Sequence, residues 1–80
     1  MSQESESGLT RYLAGRAVGD VLDGTVVSAV PYGSFVEVAD GVHGLVHESE
    51  TAAPLAPGSR VRVEVLAVDI GQGRLSLRPV

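Results

Sequence analysis

The fold follows from residues 34–46, which read SFVEVADGVHGLV. The first five residues alternate, so Val36 and Val38 share one side of an extended strand and Phe35 lies on the other. We interpret the valine side as core, which leaves the Phe35 ring on the polar face. The dipeptide Asp40-Gly41 tolerates positive φ and predicts a hairpin turn into the next strand.

Further strands extend from this hairpin in both directions. Alternation and a high valine content predict five strands, over residues 21–30, 34–38, 42–46, 60–69 and 74–78. In the fourth strand, the apolar positions switch from one face of the strand to the other near Leu66, which predicts a β-bulge there. The positions predicted to form the core are Val26, Val36, Val38, Val61, Val63, Leu75 and Leu77. Gly33 and Gly41 are predicted at sharp bends, where a positive φ would disfavour alanine.

The segments outside the strands are short. Residues 1–8 are acidic and lack periodicity, which predicts a flexible tail. Residues 9–18 have apolar positions three and four apart, which predicts a short helix, weakened by Gly15 and lying against the body. Residues 48–58 form a loop that can hold one helical turn. We therefore divide the chain into a tail with a short helix, residues 1–18, and one β-domain, residues 19–80.

The predicted strands define an all-β fold. Five short strands with a bulge cannot bury one face as a flat sheet, whereas a closed barrel buries that face and removes the exposed edges. A five-stranded closed Greek-key barrel with a loop between its third and fourth strands is the oligonucleotide/oligosaccharide-binding (OB) architecture.

Composition narrows the functional classes. The 80 residues contain no Cys, which excludes disulfides, thiolate metal sites and cysteine nucleophiles. No apolar run approaches the roughly 20 residues of a membrane span, and the polar, acidic N-terminus is unlike a signal peptide, so we expect a soluble cytoplasmic protein.

All six basic residues are Arg, against ten acids, for a net charge of −4. That balance excludes a broadly basic nucleic-acid clamp and leaves only local contacts by Arg and aromatic side chains.

The sequence carries no catalytic pattern. No nucleophile, base and orienting carboxylate occur at a recognisable spacing, and no glycine-rich loop joins a strand to a helix. His43 and His47 could share a strand face, but spacing suggests no third metal ligand. We therefore expect a protein that is not an enzyme and that uses no metal and no other cofactor.

From Val18 to Leu77 the sequence resembles the S-one RNA-binding domain, the repeat of the largest small-subunit ribosomal protein. The matching blocks are Val18-Gly19-Asp20, Gly24, Val26, Tyr32-Gly33-Ser34-Phe35-Val36, Gly44-Leu45-Val46-His47, Ser49-Glu50, Gly58, Val61, Val63, Val65-Leu66-Ala67-Val68-Asp69 and Arg74-Leu75-Ser76-Leu77. The resemblance implies an OB barrel that binds single-stranded RNA on an exposed face. The family's binding residues fall here on Tyr32, Phe35, His47, Asp69 and Arg74.

These residue types suit that role, although each has a structural alternative. Bases stack on exposed aromatic rings, and an Arg guanidinium pairs with phosphate or stacks on a base. Alternatively, Phe35 could close the barrel end as core and Tyr32 could plug the bend after Pro31. His47 could cap the following loop, and Arg74 could be the ion-pair partner of Asp69.

Departures from the family pattern leave two functions open. Glu64 stands where the family often has Lys, Glu48 where it has an aliphatic residue, and Ala29 where it has a larger aliphatic. The first reading is a monomeric module that binds single-stranded RNA weakly in translation or RNA turnover, with a ribosomal or RNA-processing partner and no membrane. The alternative is an acidic module that docks on a basic ribosomal or enzyme partner. Met1 and the barrel closing just before Val80 favour a free-standing domain.

Overall fold

The strands and helices are ordered as the sequence predicts. The computed structural model describes residues 8–80, with side chains from residue 11 onward. The elements are helix α1 (Gly8–Ala14), strands β1 (Val21–Val30), β2 (Gly33–Ala39) and β3 (Val42–His47), a 3-10 helix (Glu48–Glu50), and strands β4 (Arg60–Asp69) and β5 (Arg74–Pro79). The predicted tail lies outside the described residues, apart from Gly8, which begins α1.

The five strands form a closed barrel in the order β1-β2-β3-β5-β4. All neighbouring strands are antiparallel except β3 and β5, which pair in parallel over three register positions. The prediction of a closed five-stranded barrel is therefore confirmed. The turn predicted between the third and fourth strands is the 3-10 helix that directly follows β3.

Helix α1 is shorter than predicted. It ends at Ala14, and the backbone N–H of Gly15 donates to the carbonyl oxygens of Arg11 and Tyr12 at 3.3 and 3.2 Å. The chain then turns, because the Asp20 carboxylate accepts from the backbone N–H of Ala17 at 2.9 Å. Among residues 8–80, no helix has the length and apolar character needed to span a membrane.

The core lies inside the barrel, and Leu13 of α1 packs into it. Its buried side chains are Leu13, Val26, Val36, Val42, Val46, Val63, Val65, Leu75 and Leu77. Five of the seven predicted core positions are in this set, while Val38 and Val61 are half-buried and pack against it. Leu13 is fully buried, which confirms that the helix lies against the body.

Irregularities in the strand pairing let the sheet close. The register between β4 and β5 shifts between Val65 and Ala67, which confirms the bulge predicted near Leu66. Gly41 adopts a φ of +74° in the β2–β3 turn, as the hairpin requires. Gly33 has no positive φ, so glycine is required there for a different reason, which is the close approach of strand β3.

Candidate nucleic-acid interface

The outward side chains of β2, β3 and β5 form one continuous surface. Phe35, Leu45 and Ser76 are successive register partners on these three strands. We call these three residues the central row. The candidate binding side chains other than Phe35 lie on either side of it.

Tyr32 and Phe35 form an aromatic pair, in which Phe35 is the β2 member of the central row and Tyr32 lies beside the row. Their ring centroids are 6.3 Å apart and their planes meet at 87°, an edge-to-face arrangement. Tyr32 is 48% exposed, and its backbone carbonyl accepts from the N–H of Glu48 at 2.9 Å. Phe35 is half-buried and is not part of the core cluster. The pair therefore presents aromatic surface to solvent, with Phe35 on strand β2 and Tyr32 on a turn that a backbone hydrogen bond holds in place.

His47 ends β3 opposite Gly33, beside the aromatic pair. Its Nδ1 accepts from the backbone N–H of Ser49 at 3.1 Å and lies 2.9 Å from the Ser49 hydroxyl oxygen. The ring thus caps the 3-10 helix, which is the structural role that the sequence left open. In the neutral ring, an accepting Nδ1 puts the proton on Nε2, so Nε2–H remains available as an outward donor.

Asp69 and Arg74 form a second group, at the hairpin between β4 and β5. They are register partners, but Asp69 uses Oδ1 to accept from the backbone N–H of Gln72 at 3.0 Å. Within residues 8–80, the Arg74 side chain makes no hydrogen bond or ion pair, so the alternative of an Asp69–Arg74 ion pair is not what the structure contains. The Arg74 guanidinium is consequently free to meet a ligand.

The parallel pairing of β3 and β5 separates the two groups. Gly44 pairs with Leu75, so the preceding residues His43 and Arg74 are neighbours. His47 lies at the opposite end of β3 from His43. The structure thus brings Tyr32, Phe35 and His47 together, and places Arg74 on the opposite side of the central row from Tyr32 and His47.

The candidate binding residues chosen from the sequence did not include three residues of this surface, Leu45, His43 and Arg78. Leu45 is half-buried between Phe35 and Ser76, and His43 has its Nε2 4.0 Å from a carboxylate oxygen of Glu37. Arg78 follows Leu77, the register partner of Val46, and therefore neighbours His47. Leu45 and His43 could have been found from the alternation of residues 42–46. If Val42, Gly44 and Val46 face the core, then His43 and Leu45 face outward.

Ion pairs neutralise part of the barrel's positive charge. Arg78 donates from Nε and Nη2 to one carboxylate oxygen of Glu64 at 3.0 and 2.7 Å, and this hydrogen bond raises the pKa of Arg78 above its ordinary value. The Arg62 Nε lies 3.2 Å from a carboxylate oxygen of Asp23. Among the four barrel arginines, only Arg60 and Arg74 make no ion pair to another described residue. In the described part of the chain, no three His, Asp or Glu side chains are grouped as a metal would require.

A closed five-stranded barrel with aromatic and Arg side chains on an outer face belongs to the OB class of nucleic-acid-binding domains. The particular family is shown by comparison, since the S1 RNA binding domain matches residues 16–78. The chain belongs to this family, which confirms the resemblance drawn from the sequence.

Similar proteins support the assignment. The chain is 46% identical over 67 residues to the small ribosomal subunit protein bS1 of Staphylococcus saprophyticus, covering 74% of this chain and 17% of that protein. It superimposes with a TM-score of 0.73 on GSP13 of Bacillus subtilis, at 39% identity, covering 79% of this chain and 55% of that one. A chain of the a/eIF2alpha-aDim2p-rRNA complex of Pyrococcus horikoshii gives a TM-score of 0.71 at 27% identity, covering 79% of this chain and 44% of that one. The chain therefore spans less than a fifth of the length of its bS1 relative.

Proposed function

We propose that this chain is a non-catalytic, monomeric module of the translation or RNA-turnover machinery that binds single-stranded RNA weakly in the cytoplasm. Its platform is the pair Tyr32 and Phe35, continued by Leu45 of the central row. The observation that carries the proposal is the edge-to-face aromatic pair, with centroids 6.3 Å apart, on an outer strand face. The similarity to a ribosomal protein and to a chain crystallised with rRNA supports a place in translation.

The flanking side chains complete the proposed RNA path. The Nε2–H of His47 can donate to a phosphate or a base. The Arg74 guanidinium, which has no partner among residues 8–80, can contact a phosphate on the far side of the central row. We propose that Asp69 contributes indirectly, by fixing the turn before Arg74 through its bond to Gln72. The strand then crosses β2, β3 and β5, with bases stacked over the aromatic pair.

Truncation of the platform should weaken RNA binding. We expect Phe35→Ala to raise the Kd for oligo-U by a factor corresponding to about 1–3 kcal/mol, because one stacked base loses its ring. The measurement is a titration followed by amide chemical shifts, which also shows whether the barrel stays folded. Val18→Ala is the matched control, since Val18 is a 69% exposed aliphatic residue outside the proposed path. Equal affinities for the parent and the folded Phe35→Ala protein would contradict the platform.

Arg74→Ala should reduce the salt dependence of binding. Each phosphate contact on a single strand contributes a slope of about −0.7 to log K against log salt, so loss of Arg74 should flatten the slope by about this amount. Arg62→Ala is the control, because it removes the same charge from a side chain already paired with Asp23. With few free arginines, the parent slope itself should be shallow and the affinity micromolar or weaker. If Arg74→Ala left the slope of log K against log salt unchanged, Arg74 would not contact a phosphate of the bound RNA.

The charge distribution favours a second candidate function, an acidic module that docks on a basic protein. The net charge is −4, and the ion pairs occupy Arg62 and Arg78. The oligo-U titration separates the two candidates. Absence of RNA-dependent shifts at Tyr32, Phe35, His47 and Arg74 in low salt would leave the docking module as the better account.

A further inference from the structure

A cavity of about 240 Å³ opens beside the turn that carries Tyr32. Its walls are mainly small apolar side chains from the β1–β2 hairpin and from the segment after the 3-10 helix. The lining residues are Ala29, Val30, Pro31, Gly33, Ser34, Glu48, Thr51, Ala52, Ala53 and Pro54. Tyr32 stands in the chain between Pro31 and Gly33, which both line the cavity, so the cavity lies next to the turn that carries this ring.

Two polar side chains of the cavity have no partner in the described part of the chain. Ser34 is 3% exposed, and its hydroxyl makes no hydrogen bond to any residue in 8–80. The Glu48 carboxylate at the mouth likewise has neither a hydrogen bond nor an ion pair there. Thr51, by contrast, already donates its hydroxyl to the carbonyl of Ala53 at 2.9 Å. The Ser34 hydroxyl is not sealed off from the cavity, so it is available there as a donor and acceptor for a polar ligand.

The size and polarity of the cavity suit a nucleobase. A cavity of roughly 150 Å³ accepts a benzene-sized ring, so about 240 Å³ leaves room for a larger heteroaromatic ring. An aliphatic side chain from a protein partner could occupy the walls, but it would leave the Ser34 hydroxyl unpaired and would offer no donor to the exposed Glu48 carboxylate. A base satisfies both, since its edge carries donors and acceptors that proteins read in single strands.

The Glu48 carboxylate determines which base edge fits. An ionised carboxylate only accepts hydrogen bonds, so it pairs with N–H groups and repels carbonyl oxygens. Guanine presents two adjacent N–H donors on its Watson–Crick edge, cytosine and adenine present one amino group, and uracil presents one N–H between two carbonyls. We propose that this cavity is a base pocket that selects guanine over uracil, with Glu48 as acceptor and Ser34 as the inner polar contact. This inference rests on the proposed RNA-binding function and adds sequence selectivity to a stacking face that is itself tolerant of sequence.

The test uses short oligo-U strands in which one central uridine is replaced by guanosine, cytidine or adenosine. We expect the guanosine strand to bind the parent at least about fivefold more tightly than oligo-U, as for a bidentate side-chain contact to a base edge. Glu48→Gln should bring this ratio close to one. Glu50→Gln is the matched control, because it removes the same charge from the same 3-10 helix at a residue that does not line the cavity. Both variants should bind oligo-U slightly more tightly because each removes a negative charge, but only Glu48→Gln should bind the guanosine strand more weakly than the parent does and so lose selectivity.

A second variant tests the cavity itself. Ala52→Leu places a larger side chain in a lining position that is exposed, so the barrel should fold normally while the pocket is filled. It should lose the preference for guanosine and keep the Phe35-dependent affinity for oligo-U. The pocket would be overturned if the parent showed no preference for guanosine, or if Glu48→Gln and Ala52→Leu both kept that preference. Either result would leave the proposed function intact. Failure of every strand to bind would overturn both.

Discussion

Replacement of Leu77 by Ala should destabilise the barrel by about 2–5 kcal/mol. Leu77 is fully buried and pairs with Val46 of β3 on one side and Val65 of β4 on the other. Its side chain also occupies the space over Gly44, where an added Cβ would lie 2.8 Å from the Leu77 Cγ. Truncation therefore opens a cavity at the seam between β3 and β5, which is joined by only three register pairs.

The loss is large compared with the total stability expected of a domain of this size. At about 0.05–0.15 kcal/mol per residue, 80 residues correspond to roughly 4–12 kcal/mol. Urea denaturation of the parent and of Leu77→Ala measures the difference directly. Ser76→Ala is the control, because Ser76 is the exposed neighbour on the same strand. If the urea midpoint of Leu77→Ala equalled that of the parent, Leu77 would not stabilise the seam between β3 and β5.

Local pattern predicted the strands well, because their side chains alternate between a buried and an exposed face. The bounds of the fourth strand, Arg60–Asp69, coincide with prediction, and the parity change located its bulge. The helix was less predictable. Its end at Ala14 and the complete burial of Leu13 depend on contacts with the barrel, which the sequence of the helix does not encode.

The candidate site was predictable in part for the same reason. Alternation placed Phe35 outside the core, and the family resemblance added Tyr32 and His47 to the same region. The position of Arg74 beside His43 follows from the parallel register of β3 and β5. These strands are separated in sequence by β4, so no local pattern indicates which residues become neighbours. Ser34 and Glu48, the two cavity side chains without a partner in the described part of the chain, are recognisable only from the folded arrangement.

Gly33→Ala should destabilise the fold by about 1–3 kcal/mol or more and should also displace the aromatic platform. An added Cβ would meet the carbonyl oxygen of Val46 and would lie 3.1 Å from the Cα of His47. Both obstacles are backbone atoms of β3, which cannot rotate away as a flexible side chain could. Strand β2 would have to separate from β3 at the point where Gly33 and His47 are register partners.

The displacement would reach the site because Gly33 follows Tyr32 directly. The hydrogen bond from the N–H of Glu48 to the Tyr32 carbonyl should lengthen, with large amide shifts at Glu48 and His47 and weaker binding of oligo-U. Gly71→Ala is the matched control, since its added Cβ would make an ordinary contact of 3.6 Å with the Asp69 carboxylate and should leave stability undiminished. Thermal unfolding and amide spectra of the two variants compare the effects. If Gly33→Ala were as stable as Gly71→Ala with unshifted site amides, the close approach of β2 and β3 would not require glycine. If it were destabilised as expected, a single missing Cβ would account both for closure of the barrel at this end and for the positions of Tyr32 and His47.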